Sequence, residues 1–121
     1  MIGPEGGAVD LDALRFDARG LIPVIAQDAD NGEVLMLAWA NREALERTLA
    51  EGRMVYWSRS RQELWRKGDT SGHVQHWDEL IADCDADVVL AKIHQEGPAC
   101  HSGERSCFHR GLSGSTRTTP R

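Results

Sequence analysis

The 121 residues carry 14 Lys and Arg against 19 Asp and Glu, a formal net charge of −5, and 40% are hydrophobic. That length suits one hydrophobic core, and the acidic balance excludes the broad basic footprint of a duplex-binding domain. No stretch reaches the ~20 apolar residues of a membrane span, and no basic segment followed by an apolar run marks a secretory signal. The expectation is therefore a cytoplasmic chain with neither membrane nor nucleic-acid partners. Its three cysteines, Cys84, Cys100 and Cys107, are an odd number, which argues against a disulfide framework and for reduced thiols free to take a metal.

In chain order, residues 1–15 read as a flexible lead-in, since Met1–Asp10 holds Gly3, Gly6 and Gly7 and little that is apolar. Leu21–Gln27 is an apolar run whose Pro23 suits an edge strand. Asn31-Gly32 is a strong turn signal, and Glu33–Trp39 returns as a second strand, giving a hairpin over Asp28–Gly32. A helix over about 42–51 follows. Asn41 caps it, Ala44, Leu45, Thr48 and Leu49 share one face, Glu43 and Arg47 pair at i,i+4, and Gly52 ends it. Arg53–Ser58 is a strand, Gln62–Arg66 a short strand or turn, and Lys67–Gly72 a turn-rich loop. Val74–Ala82 and Val88–Gln95 are two more strands, joined by the acidic connector Asp83–Asp87. Residues 111–121 are mostly Gly, Ser, Thr, Arg and Pro and cannot offset their ordering entropy, so they are expected to form a disordered tail. The predicted fold is α+β and β-rich: a compact multi-stranded sheet or pseudobarrel with one main helix, confined to residues 16–110. A core this small makes a stabilising dimer reasonable.

Three thiolates on one zinc ion leave a fourth tetrahedral position for water, as a catalytic zinc requires. The spacing has no Cys-x-x-Cys knuckle and by itself leaves three idle thiols as an open alternative. The residues around Cys84 add to this. If Asp83–Asp87 is extended, Asp83, Asp85 and Asp87 share one face and Cys84 points the other way. Three adjacent carboxylates repel one another unless a cation sits among them, and hard oxygen ligands suit Mg²⁺; a solvated acidic turn is the plainer alternative. An EF-hand loop is excluded, because counting from Asp83 puts Val88 at position six and His94 at position twelve. With Cys84 facing away from the acids, its zinc must be completed by Cys100 and Cys107 from the same chain or from a second copy, and the second copy is favoured.

At this point longer runs matter. Gly20-Leu-Ile-Pro23, Gly32-Glu-Val-Leu-Met-Leu-Ala-Trp39, Tyr56-Trp-Ser-Arg-Ser-Arg61, Leu64-Trp-Arg-Lys-Gly68, Thr70-Ser-Gly72, Asp83-Cys-Asp85, Gln95-Glu-Gly-Pro-Ala-Cys-His101 and Ser106-Cys-Phe108 together resemble the phosphoribosyl-AMP cyclohydrolases over roughly Phe16 to Arg110. The resemblance implies an obligate homodimer with active sites at the subunit interface. It also implies one zinc per subunit on Cys84, Cys100 and Cys107, shared across the dimer, and Mg²⁺ on Asp83, Asp85 and Asp87. Many relatives are fused to a phosphoribosyl-ATP pyrophosphohydrolase domain. The present length leaves no room for one, so a monofunctional chain is expected. One departure is His109, where the family often has Tyr.

The implied reaction, in histidine biosynthesis, opens the adenine ring of 1-(5-phosphoribosyl)-AMP. Alkylation at N1 makes C6 electrophilic, zinc lowers the pKa of its water toward ~7, hydroxide adds to C6, and the N1–C6 bond breaks to leave a carboxamide. A proton carrier is needed. His101, beside Cys100, is the first candidate, followed by His73, His94 and then Glu96. For the two phosphates, Arg59, Arg61, Arg66 and Lys67 offer charge, and Ser58, Ser60, Thr70, Ser71 and Gly72 offer hydroxyls and backbone N–H groups. Of Trp39, Trp57, Trp65 and Trp77, one or two are expected to stack on the purine, with Trp57 and Trp65 placed in the substrate site.

Two competing readings fit less well. His94-Gln95-Glu96 spells the H-x-E of the base deaminases, but the P-C-x-x-C that should follow is missing. A structural zinc module would need a fourth protein ligand, for which His101 or His109 would serve, and would unfold on chelation.

Overall fold

In the computed structural model, which describes residues 9–115, the apolar pattern becomes six strands and one α-helix. The parts of the expected lead-in and tail at 1–8 and 116–121 lie outside the described residues. The elements are β1 (Ile22–Asp28), β2 (Val34–Ala40), α1 (Arg42–Glu51), β3 (Val55–Ser58), β4 (Glu63–Arg66), β5 (Gln75–Ala82) and β6 (Val89–Gln95). They form a single sheet in the order β4-β3-β2-β1-β6-β5. All neighbours are antiparallel except β1 and β6, which run parallel. The β-rich α+β expectation holds. The sheet also curls. An isolated bridge joins Arg53 to His76, Met54 N–H donates to Gln75 O at 2.9 Å and Trp77 N–H to Gly52 O at 3.1 Å. The far strand β5 is thereby tied back to the segment that leads into β3, closing part of the sheet into a barrel. Among the described residues, no helix is long and apolar enough to cross a membrane.

Pro23 does not mark an edge strand, because β1 lies in the middle of the sheet. The parallel ladder with β6 begins only at Val24 opposite Val89, while Pro23 faces Trp39 of β2. Proline is tolerated on this overhang because β1 has only one neighbour there. Beyond it, Ile22, Val24 and Ala26 of β1 and Val89, Ala91 and Ile93 of β6 alternate into the core, the period-two pattern of strands with one face buried.

The helix forms as its end signals require. Asn41 Oδ1 accepts from Ala44 N–H at 2.8 Å, and Gly52 closes the last turn at φ +75°, a conformation cheap only for glycine. Ala44, Leu45 and Thr48 are buried. Leu49, expected on the same face, is 49% exposed, because the buried stripe ends at Thr48. The Thr48 hydroxyl accepts from Val55 N–H and donates to Ala44 O, both at 2.9 Å, fastening the helix to β3. At the chain's start, Leu11–Ala13 forms one 3₁₀ turn. Leu11 and Leu14 pack against the core, although they fall within the expected lead-in.

A buried polar chain runs through the interior, where no local sequence signal marks it. Tyr56, fully buried, donates to Gln75 Oε1 at 2.6 Å. Gln75 Nε2 donates to Gln95 Oε1 at 2.7 Å, and Gln95 Nε2 reaches His73 O at 3.2 Å. Burial, and next the neighbouring Cys107, push the Tyr56 phenol well above its ordinary pKa, so it stays a proton donor at any pH the fold survives. Buried polar groups satisfied in this way fix one arrangement, and here the chain ends on the backbone of a site histidine.

Candidate functional site

Two loops bring the site together. Lys67 N–H donates to Met54 O at 3.0 Å, fixing the start of the β4–β5 loop against the core. In the C-terminal segment, Cys107 N–H donates to Leu35 O at 2.7 Å and the Ser106 hydroxyl to Val34 O at 2.8 Å. Arg105 pairs with Asp28 and with Glu33. A tight turn then places Cys100, with Cys100 N–H donating to Glu104 O at 3.1 Å and Gly103 N–H to Cys100 O at 3.0 Å. Between these loops lies a cleft of about 380 Å³ whose walls include Arg61, Trp65, Lys67, Thr70, Ser71, His73, Cys100 and His101.

The electrostatics of the cleft centre on sulfur. Cys100 Sγ lies 3.0 Å from Ser102 Oγ and 3.9 Å from His109 Nε2. Hydrogen bonds from Ser102 and then His109 lower the Cys100 pKa from 9.0 to about 6. Cys107 is raised, by desolvation first and then by the neighbouring Cys100 charge, so Cys100 ionises first. Lys67, only 8% exposed, donates from Nζ to Ala99 O at 2.7 Å. Burial lowers its pKa, while Cys107 and Cys100 beside it push the other way. The Cys100 thiolate beside the buried Lys67 ammonium offsets part of the cost of burying that charge.

This predicts a titration. In metal-free protein one thiol should ionise with a midpoint near 6 by ultraviolet thiolate absorbance, and that step should vanish in Cys100→Ser and move upward in Ser102→Ala. Cys100 releases its proton at lower pH in the folded than in the unfolded chain. The fold therefore gains stability as pH rises from about 6 toward 9.0, and loses it as pH falls through about 6. A midpoint at the ordinary thiol value would show that Ser102 does not hold the sulfur.

His73 is set by a glycine. A Cβ on Gly97 (φ +73°) would stand 2.5 Å from His73 Cδ2, so only glycine lets the imidazole occupy its position. We expect Gly97→Ala to cost activity about tenfold or more by displacing the ring, with unfolding shifted only by the ~1–2 kcal/mol of a left-handed alanine. Comparison of kcat with the thermal midpoint checks this.

The acidic connector is a tight turn rather than an extended strand. Ala86 N–H donates to Asp83 O at 2.9 Å, and Ala86 sits at φ +61°. The three aspartates nevertheless converge, because the turn folds their side chains together: ligand oxygens of Asp83, Asp85 and Asp87 all lie within 4.8 Å of one another. Against the opposing effect of desolvation, backbone N–H groups of Asp87 and Val88 hold the Asp83 carboxyl low. Asp87 is raised by its hydrogen bond with Asp83, then by desolvation and the charges of Asp83 and Asp85. This crowding of oxygens suits a divalent cation. Cys84 lies exposed on the same turn. Among the described residues, it forms no compact cluster of metal-ligating groups with Cys100 and Cys107.

Not every expected residue lines the cleft. His94 stands on β6 with Asp30 at 3.7 Å and Asp78 at 3.5 Å, outside it, and Glu96 faces His76 at 3.3 Å. Arg66 is taken up by Glu51 and Asp69. Gly72 donates its N–H to Gly68 O at 2.8 Å and shapes the loop from outside the cleft wall. Trp77 Nε1 donates to Thr48 O at 2.6 Å and packs on the core. Trp57, Arg59 and Ser60 line a second groove of about 470 Å³ on the other side of Trp65, together with Trp39 and Arg19. Neither Arg19 nor Gly97 stood out in the sequence. The signal for Gly97 was present in the Gly-Pro step at 97–98, which marks a special backbone position.

A β-rich single sheet that gathers a readily ionised thiol, two histidines and a buried lysine at one cleft has the proton carriers and polar groups that a hydrolytic enzyme uses. The chain belongs to the phosphoribosyl-AMP cyclohydrolase family, whose sequence profile matches residues 36–109. It is 62% identical over 103 residues to the phosphoribosyl-AMP cyclohydrolase of Rhodospirillum centenum, covering 85% of this chain and 77% of that protein. It is 59% identical over 106 residues to that of Methanococcoides burtonii, covering 88% of each. The histidine biosynthesis bifunctional protein HisIE of Thermus thermophilus is 61% identical over 104 residues, which are 86% of this chain and 49% of that protein.

Proposed function

We propose that the chain hydrolyses the N1–C6 bond of 1-(5-phosphoribosyl)-AMP in histidine biosynthesis, acting as a homodimer that shares zinc between subunits. The observation that carries this reading is the cleft in which Cys100, His101, His73 and Lys67 meet Thr70, Ser71 and Arg61. The donor set fits zinc. A readily ionised thiol stands beside a second thiol within one chain, and the third, Cys84, sits on a separate turn from which a partner copy can supply it. Zinc held there would supply the Lewis acidity that makes water a nucleophile near neutral pH. The Asp83, Asp85 and Asp87 turn would hold Mg²⁺.

The chain's own groups perform the rest. Arg61 and Lys67, with the hydroxyls of Thr70 and Ser71, bind one phosphoribosyl arm and fix the ring's orientation. His101, adjacent in sequence to Cys100, takes the proton of the attacking water, and either His101 or His73 returns one to N1 as the ring opens. Trp65, 38% exposed at the mouth of the cleft, gives the purine an apolar face. His94 serves as proton carrier only if a second copy brings it to the cleft. An absorbance assay on phosphoribosyl-AMP, with and without chelator and with ammonia measured in parallel, tests the proposal. Chelator-sensitive ring opening without ammonia supports it; ammonia release would mean deamination, and inert substrate would refute it.

A further inference from the structure

The second groove is built for an anion. Arg19 and Arg59 come from turns 40 residues apart in sequence and line the same two adjoining depressions, of about 220 and 470 Å³. Among the described residues, Arg42, Arg47, Arg53, Arg61, Arg66 and Arg105 each pair with a carboxylate, whereas Arg15, Arg19, Arg59 and Arg110 have none within ion-pair distance, and of these four only Arg19 and Arg59 line the groove. The one acid in the groove, Asp17, is otherwise engaged: its Oδ1 accepts from Arg19 N–H at 2.8 Å and Leu21 N–H at 2.9 Å. Those bonds fix the turn that presents Arg19. Arg59 is also held, with its guanidinium 4.7 Å from the centre of the Trp39 ring. Two guanidinium groups free of ion pairs, one stacked on the Trp39 ring and the other carried on a pinned turn, suit a phosphate beside an aromatic floor.

Trp65 is the one residue that lines both this groove and the cleft of Cys100 and His101. A ligand lying across Trp65 therefore has one end at the sulfurs and the other at Arg19 and Arg59. The proposed substrate carries a phosphoribosyl arm on each side of its purine. The reacting C6 adjoins N1, and N9 lies across the ring. We infer that Arg19 and Arg59 receive the 5′-phosphate of the N9 (AMP) arm, while the N1 arm lies toward Lys67, Thr70 and Ser71. This assignment rests on the function proposed above and adds Arg19 as a substrate-binding residue.

The test compares AMP with adenosine by calorimetry on the full-length protein, and measures kcat and KM for phosphoribosyl-AMP. Arg19→Gln should weaken AMP about tenfold, leave adenosine unchanged, and raise KM about tenfold with kcat within about twofold, as expected for loss of binding shared by ground and transition states. Arg59→Gln should act in the same direction, and Arg47→Gln, which removes the same charge from the helix surface, should change nothing. AMP affinity and KM both within twofold of wild type in Arg19→Gln would overturn the inference, as would a fall in kcat at unchanged KM or equal weakening of adenosine. If the unaltered protein fails to open phosphoribosyl-AMP, the functional reading falls, while the AMP–adenosine contrast still judges the groove.

Discussion

Cys100→Ala is expected to abolish turnover, by more than about a thousandfold, and to remove the bound zinc with it. Cys100 is the thiol already prepared for ionisation, with Ser102 Oγ 3.0 Å from its sulfur and His109 Nε2 at 3.9 Å. Without it the cleft keeps its shape, because the Cys100 backbone is held by Glu104 and Gly103 rather than through sulfur. The variant should therefore fold and still bind AMP while losing metal and chemistry together. Zinc content by atomic absorption and kcat on phosphoribosyl-AMP are the measurements. Full activity in Cys100→Ala would remove the metal assignment. Cys84→Ala and Cys107→Ala should behave alike. If the third sulfur comes from a partner copy, mixing Cys84→Ala with Cys100→Ala subunits should restore about a quarter of the sites at random pairing of equal amounts, because only the site built from both intact cysteines is complete.

Gly68→Ala is the substitution expected to damage the fold most. Gly68 sits at φ +91°, and a Cβ there would stand 2.5 Å from both N and Cα of Val74. These are backbone atoms at the entry to β5, so they cannot step aside as a flexible side chain can. The left-handed conformation alone costs an alanine ~1–2 kcal/mol. With the overlap added, the loss should reach about 4 kcal/mol or more, a large share of the ~5–15 kcal/mol that holds a domain folded. Gly52→Ala separates the two effects, since Gly52 has a similar φ of +75° and nothing within 4 Å of its Cβ position. It should lose only the conformational part. Urea unfolding of the two variants reads the difference directly, and equal losses would mean that contact with Val74 is not what the glycine avoids.

Local signals account for most of the element boundaries. Asn41 and Gly52 bracket the helix because a side-chain acceptor and a left-handed glycine satisfy groups that every helix end leaves open. Asn31-Gly32 turns the first hairpin for the same kind of local reason. Leu49 and Pro23 depart from the local pattern because each depends on what lies beside the element. Pro23 reports an absent neighbour at one end of β1 rather than along it, and no periodicity within Leu21–Gln27 contains that. The acidic connector also reached its clustered carboxylates by another route, a turn with Ala86 at positive φ, which a non-glycine residue gives no warning of.

Residue types and their local order were thus enough to determine the β-rich class, the helix, and which side chains have metal and phosphate chemistry to offer, because capping, turns and ligand preference are short-range properties. Only the tertiary structure decided that Lys67 lies buried beside Cys100 and Cys107, that Gly97 makes room for His73, that His94 stands apart from the cleft, and that Arg19 meets Arg59. Those contacts join positions far apart in the chain. They exist because the sheet's order and curl bring distant loops to one end, and that depends on the packing of the whole core.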